Sequence, residues 1–183
     1  KKRFLKNLNG INQKSNKLQV IYQSVEKAKV NISKKKNIIT FVGKLNRAKG
    51  YDIFGKAILK ILDKYPNWKS NVFGDEPREK WIFKHKNLNI KGFKPHVEVL
   101  KNFKDSSITV VCSRWEEPFG RTSLEASSRG CAVIISNRGG LPETVSNAII
   151  LRKLNSQNLF NSLERLIKNK TLRTNTCPEG QNG

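Results

Sequence analysis

Acidic residues are scarce in this chain: 14 Asp and Glu stand against 36 Lys and Arg in 183 residues, a net charge of +22. Its carboxylates show no cluster at metal-ligand spacing, so a carboxylate-held magnesium or calcium centre is not expected. Cysteine is scarce too. Cys112, Cys131 and Cys177 have neither the short paired spacing of a zinc site nor the even count of a disulfide framework, and a reducing cytoplasm suits them best. Long apolar runs are missing: none approaches the roughly 20 residues that span a bilayer, and the basic N-terminus lacks the apolar stretch of a signal peptide. The expectation is a soluble cytoplasmic protein, at most peripheral at the inner face of a membrane. Zinc-finger spacing and aromatic RNA-binding motifs are also lacking, which sets nucleic acid low as a partner despite the basic charge.

What is present is a series of short β-branched runs separated by helical periods. A chain of this length forms one domain with a substantial core. Residues 1 to 36, rich in Lys, Asn, Ser and Gln, read as a linker with a short strand at Leu18 to Tyr22. Residues 37 to 170 read as the folded domain and 171 to 183 as an irregular tail. Asn37 to Gly43 is an apolar run stopped by Gly, and Ile53, Phe54, Ala57, Ile58, Ile61, Leu62 and Tyr65 recur at helical spacing up to Pro66. The alternation continues with strands at 68 to 73, 88 to 90, 107 to 112, 131 to 136 and 149 to 151. Helices are expected through Trp81 to Phe83, through Val97, Leu100 and Phe103, and through Leu159 to Ile167 with Ser156 as its cap. The runs SITVVC and CAVIIS are near-continuous stretches rich in β-branched residues, as expected of strands buried on both faces of a parallel sheet. The fold class expected is therefore α/β, a doubly wound open parallel sheet of Rossmann type, with ligands bound beyond the carboxyl ends of its strands.

Two strand-to-helix loops carry the chemistry. Glu117 lies in the loop after SITVVC and Glu125 on the following helix, with seven residues between them. A helix starting near Phe119 or Gly120 presents free amides and a positive dipole end, and Gly120 lets a phosphate approach the backbone. From there Glu125 could accept hydrogen bonds from a ribose diol, with Glu117 directed at whatever the distal phosphate carries. The second loop, Gly43 to Gly50, carries Lys44 and Lys49, two cations able to neutralise a leaving diphosphate without a bound metal.

These segments resemble, in order, the C-terminal domain of GT-B glycosyltransferases of the retaining family 4, or group 1, which includes sucrose synthases and bacterial mannosyltransferases. The matching stations are Phe41-Val-Gly-Lys-Leu with Lys49-Gly50, Val72-Phe-Gly-Asp75, Ile90-Lys-Gly-Phe93, the E-x7-E pair Glu117 and Glu125, Gly130 with Val133-Ile134, and Gly139-Gly-Leu-Pro-Glu143. The resemblance implies a nucleotide-sugar donor, such as a UDP- or GDP-sugar, as substrate, with no cofactor and no metal. Donor-binding residues would be Gly43, Lys44, Lys49, Phe93, Lys94, Glu117, Phe119, Gly120, Arg121, Thr122 and Glu125, of which Glu117 and Lys49 would act in the reaction. Lys44 and Lys49 would hold the diphosphate beside the amides of Phe119 to Thr122. Glu125 would hold the ribose, and the base would lie near Gly92, Phe93 and Lys94. It also implies an N-terminal acceptor domain as partner, without which this half would be inactive. Departures from the family pattern are Lys44 where Arg is commoner, Glu76 for Gly, Ser127-Ser128 for Met-Ala and Ala132 for Pro.

Plainer readings compete at several positions. Glu143 serves equally as a residue starting a short helix. His85 and His96 stand among lysines without partners at ligand spacing and read as surface residues. Cys112 and Cys131 read as inert core. The competing reading for the whole chain, resting on its charge, is a basic module for nucleic acid or an anionic membrane surface.

Overall fold

The computed structural model describes residues 21 to 176 other than Lys27. The strand expected at Leu18 to Tyr22 lies outside these residues except for Ile21 and Tyr22, which have no regular structure. Six strands form one sheet: β1 (Lys36–Val42), β2 (Lys69–Phe73), β3 (Leu88–Ile90), β4 (Ser106–Val111), β5 (Ala132–Ser136) and β6 (Ile149–Leu151). Their order is β3-β2-β1-β4-β5-β6, and every neighbouring pair is parallel. The helices are α1 (Tyr51–Lys64), α2 (His96–Asp105), α3 (Arg121–Ser127), α4 (Ser156–Lys168) and α5 (Lys170–Asn175).

The continuous apolar strands behave as expected. All five residues of β5 are buried, and five of the six in β4, because helices cover both faces of the sheet. One core layer gathers Phe54, Ile58, Ile61 and Leu62 of α1 with Leu159, Leu163 and Leu166 of α4. The other gathers Val99 and Phe103 of α2 with Ala126 of α3, against Val133 and Ile135. In the second layer Asn102 on α2 ties neighbouring strands together: it donates to Thr40 Oγ1 at 2.8 Å and accepts from Asn71 at 2.6 Å. Lys35, at the end of the linker, donates to the carbonyls of Phe103 at 2.6 Å and Arg129 at 2.5 Å. It thereby supplies a cation where α2 and the turn after α3 end.

Three local expectations are corrected. Residues 81 to 83 form no helix; Trp81, Phe83 and His85 turn inward while Ile82, Lys84 and Lys86 turn outward. That is a period of two, which Trp81 and Phe83 as the two large apolar rings were too few to establish from sequence. The Phe83 ring lies edge-on to Tyr51 at 5.5 Å, over Gly55, where a Cβ would fall 2.0 Å from the ring. Gly55 costs α1 about 1 kcal/mol of helix propensity, and the seat it leaves for Phe83 explains its presence. Ser156 is not the cap of α4 but its first residue; the Asn155 side chain accepts from Asn158 N at 2.8 Å. Residues 170 to 175 are helical where an irregular tail was expected from 171. Asn169 caps this helix at Leu172 N, and Arg173 packs its guanidinium over Trp68 at 5.4 Å.

The chain winds outward from β1 in one direction and from β4 in the other. The loops leaving the carboxyl ends of these two strands therefore diverge onto opposite faces and open a crevice between them.

Candidate functional site

Gly43 follows β1 and Ser113 lies just beyond β4, and a cleft of about 220 Å³ opens between these loops. Lys49 enters it from the β1–α1 loop and Glu117 from the β4–α3 loop. Gly120, Arg121 and Thr122 complete the rim where α3 begins. Lys49 Nζ meets Glu117 Oε1 at 2.5 Å, with side chains 33% and 13% exposed, so the pair is partly shielded yet reachable from solvent. The first amides of α3 have no acceptor within the helix, and they belong to residues of this rim. A cation, a carboxylate and helix-start amides thus converge on one small volume.

Close contacts between loops fix this arrangement. Gly50 adopts φ 75° at the start of α1, where a Cβ would sit 2.0 Å from the Cys112 carbonyl oxygen. Arg114 N donates to Ala48 O at 2.8 Å. Arg114 Nη1 and Nη2 grip the Asp52 carboxylate at 2.6 and 2.8 Å, and Nη1 also reaches Arg47 O at 2.6 Å. Burial works against the Asp52 charge, but the Arg114 hydrogen bonds and charge outweigh it and hold that carboxyl below its ordinary range. On the other side, Gly139 N donates to Glu116 Oε2 at 2.6 Å and Gly140 N to Glu117 O at 2.7 Å. The Gly139-Gly140 pair is there because the β5–β6 loop presses on the backbone that carries Glu117.

Glu125 is 6% exposed, one helical turn from Arg121. Its Oε1 accepts from Arg121 Nε at 2.7 Å and lies 3.0 Å from His96 Nε2. His96 is therefore not the partnerless residue that the sequence suggested: the β3–α2 turn brings it to Glu125 across 29 residues. His85 also has partners, Asn87 N at 3.0 Å and Asp63 at 3.4 Å, and its side chain is only 12% exposed.

Of the residues expected at the site, Gly43, Lys49, Glu117, Gly120, Arg121 and Thr122 line the cleft, and Glu125 joins it through Arg121. Lys44, Phe93, Lys94 and Phe119 stand outside the lining. Lys44 is exposed; Phe93 is 77% exposed on the turn before α2; the Phe119 ring lies 6.3 Å from Tyr22. Tyr22 donates to Glu143 at 3.0 Å, which raises the Tyr22 phenol above its ordinary pKa. Cys112 and Cys131 are buried, and desolvation pushes the Cys112 thiol up to about 12 and raises that of Cys131, so both stay protonated. A larger hollow of about 470 Å³ lies between residues 23 to 32 and α3; no charged side chain lines it among the described residues. Among the described residues, no group of three or more His, Cys, Asp or Glu side chains could hold a metal ion, and no helix is long and apolar enough to cross a membrane.

Comparison with known proteins places this geometry in a family. The spore coat protein SA of Bacillus subtilis is 32% identical over 126 residues, covering 60% of this chain and 33% of its own length. The chain thus spans about a third of that relative. The C-terminal domain of LpcC, a glycosyl transferase group 1 family protein of Francisella tularensis, has a TM-score of 0.66 and 27% identity over 78% of this chain and 81% of that one. HepE of Anabaena, solved with UDP and glucose, shares the fold with a TM-score of 0.65 at 19% identity over 82% of this chain and 43% of its own. Residues 23–182 match the model of glycosyl transferases group 1, and with a sheet like that of the C-terminal domain of a GT-B enzyme the chain belongs to that family.

Proposed function

We propose that this domain binds the donor of a retaining glycosyl transfer, a nucleoside diphosphate sugar, in the cleft between the β1–α1 and β4–α3 loops, without a metal ion. The observation that carries the proposal is the Lys49–Glu117 contact across the switch point of the sheet. An incoming diphosphate offers Lys49 a stronger anionic partner, which releases Glu117 to the hydroxyls of the sugar beyond it. Lys44, exposed on the same loop, extends the positive field. Glu125, held by Arg121 and His96, accepts hydrogen bonds from the ribose diol. The base lies toward Gly92, Phe93 and Lys94, and Phe119 contributes its backbone amide beside the diphosphate.

In the transfer, the bond from the anomeric carbon to the diphosphate oxygen breaks as the acceptor oxygen joins the same face. The departing phosphate oxygen takes the acceptor's proton. Lys49, with the amides of Gly120 to Thr122, stabilises the charge that develops on the diphosphate. The acceptor site belongs to an N-terminal domain, so this domain by itself binds donor but does not turn it over.

The test is calorimetric titration with UDP-, GDP- and ADP-sugars in EDTA. Saturable binding of one of them is expected, weakened roughly 10- to 100-fold in Glu125→Ala, the scale of lost hydrogen bonds to a charged group. Undiminished affinity in that variant would remove Glu125 from the site, and the reading with it.

A further inference from the structure

We infer that Glu76 and Glu79, which stand outside the cleft, are positioning residues that hold the Gly43–Gly50 loop so that Lys49 meets the diphosphate. This rests on the donor reading above. After β2 the chain runs alongside that loop and contacts it three times: Leu45 N donates to Asp75 O at 3.2 Å, Asn46 Nδ2 to Glu76 Oε2 at 3.3 Å, and Arg47 N to Glu79 Oε2 at 2.8 Å. The middle contact leads on to Lys49, since Asn46 Oδ1 accepts from Lys49 N at 3.0 Å. An amide donates only through its nitrogen and accepts through its oxygen. With its NH2 group committed to Glu76, Asn46 therefore turns its oxygen to the Lys49 backbone.

Both carboxylates are themselves fixed. Glu76, its side chain 4% exposed, receives Arg78 Nε at 2.7 Å and Nη2 at 3.0 Å. Glu79 Oε2 also accepts from Trp81 Nε1 at 3.0 Å. The Trp81 ring stacks on Phe83, which is seated over Gly55, so the strap is anchored in α1 while its acidic residues reach the loop. In a chain with a net charge of +22, two carboxylates spent on one loop mark it as a place where position matters.

The test compares affinities of the chain for UDP, GDP and ADP with those for the matching monophosphates. The ratio isolates the contribution of the second phosphate, whereas general loosening weakens both nucleotides. In Glu76→Ala the preference for diphosphate should fall roughly five- to tenfold, as expected for a partly lost charge-assisted contact, with monophosphate affinity unchanged. Glu76→Gln, which keeps an acceptor for Asn46, should restore most of it. If Glu76→Ala fails to fold, Glu79→Ala and Asn46→Ala carry the same test. Equal weakening of both nucleotides, or no rescue by Gln, overturns the inference. Lys49→Ala separates the two levels. Unchanged diphosphate preference in Lys49→Ala overturns the donor reading and this inference together; loss there with an unchanged ratio in the Glu76 and Glu79 variants overturns this inference alone.

Discussion

Gly139 shows how a residue with no side chain can fix the backbone of the cleft. It adopts φ 54°, and a Cβ there would lie 2.1 Å from the Glu117 carbonyl oxygen. Gly139→Ala thus strains its own backbone by about 1–2 kcal/mol and pushes on the segment that places Glu117 in the cleft. Nucleotide-sugar affinity should drop together with a lowered Tm, while Gly130→Ala, at φ 72° and outside the cleft, where no atom lies nearer than 3.4 Å to the added Cβ, tests backbone strain without the collision. Equal losses in the two variants, by calorimetry and thermal melting, would show that contact with Glu117 is immaterial. At this scale the sequence was most readable in one continuous stretch: Glu117 and Gly120 stood out from the local pattern of strand, loop and helix start, and Arg121 and Thr122 from the family resemblance. His96, Glu76 and Arg114 were not recognisable as site supports. Their partners lie 29, 30 and 62 residues away in the chain, and no local period encodes such a distance.

The Asp52–Arg114 pair joins the first turn of α1 to the loop that follows β4, and so couples the two elements whose loops bound the cleft. Because the folded state holds Asp52 below its ordinary pKa, its ionised form stabilises the fold above about pH 4. That contribution is lost as pH falls through the lowered folded value. Asp52→Asn should therefore cost about 1–2 kcal/mol at neutral pH, with the gap to the parent chain closing as the solution is acidified. Urea unfolding at pH 7 and pH 3 measures both, and a gap independent of pH would mean that the charge contributes nothing. Element type was legible where burial imposes a clear helical period, as in α1, or a continuous run buried on both faces, as in β4 and β5. It failed at residues 81 to 83, where a strap alternates inward and outward within a span too short to distinguish two periods. The Phe83–Gly55 seat that decides the matter is a contact between segments, and it becomes visible only in three dimensions.

For the molecule as a whole, the sheet order places one crevice at the reversal of winding direction, and Gly43, Lys49, Glu117, Gly120, Arg121 and Thr122 line it, while Lys44, Phe93, Lys94 and Phe119 lie outside it. The net charge of +22 is a separate property. It attracts any polyanion with a strength that collapses as salt rises, whereas a partly shielded pair such as Lys49 and Glu117 is screened far less. The direct test is an NMR titration of the isotopically labelled chain with UDP-, GDP- and ADP-sugars in EDTA, at low and high salt. One donor should shift the amides of Gly43, Lys49, Gly120, Arg121 and Thr122 saturably at both salt concentrations. Shifts spread over the surface lysines and abolished by salt, with those five amides unmoved, would contradict a donor site at the cleft.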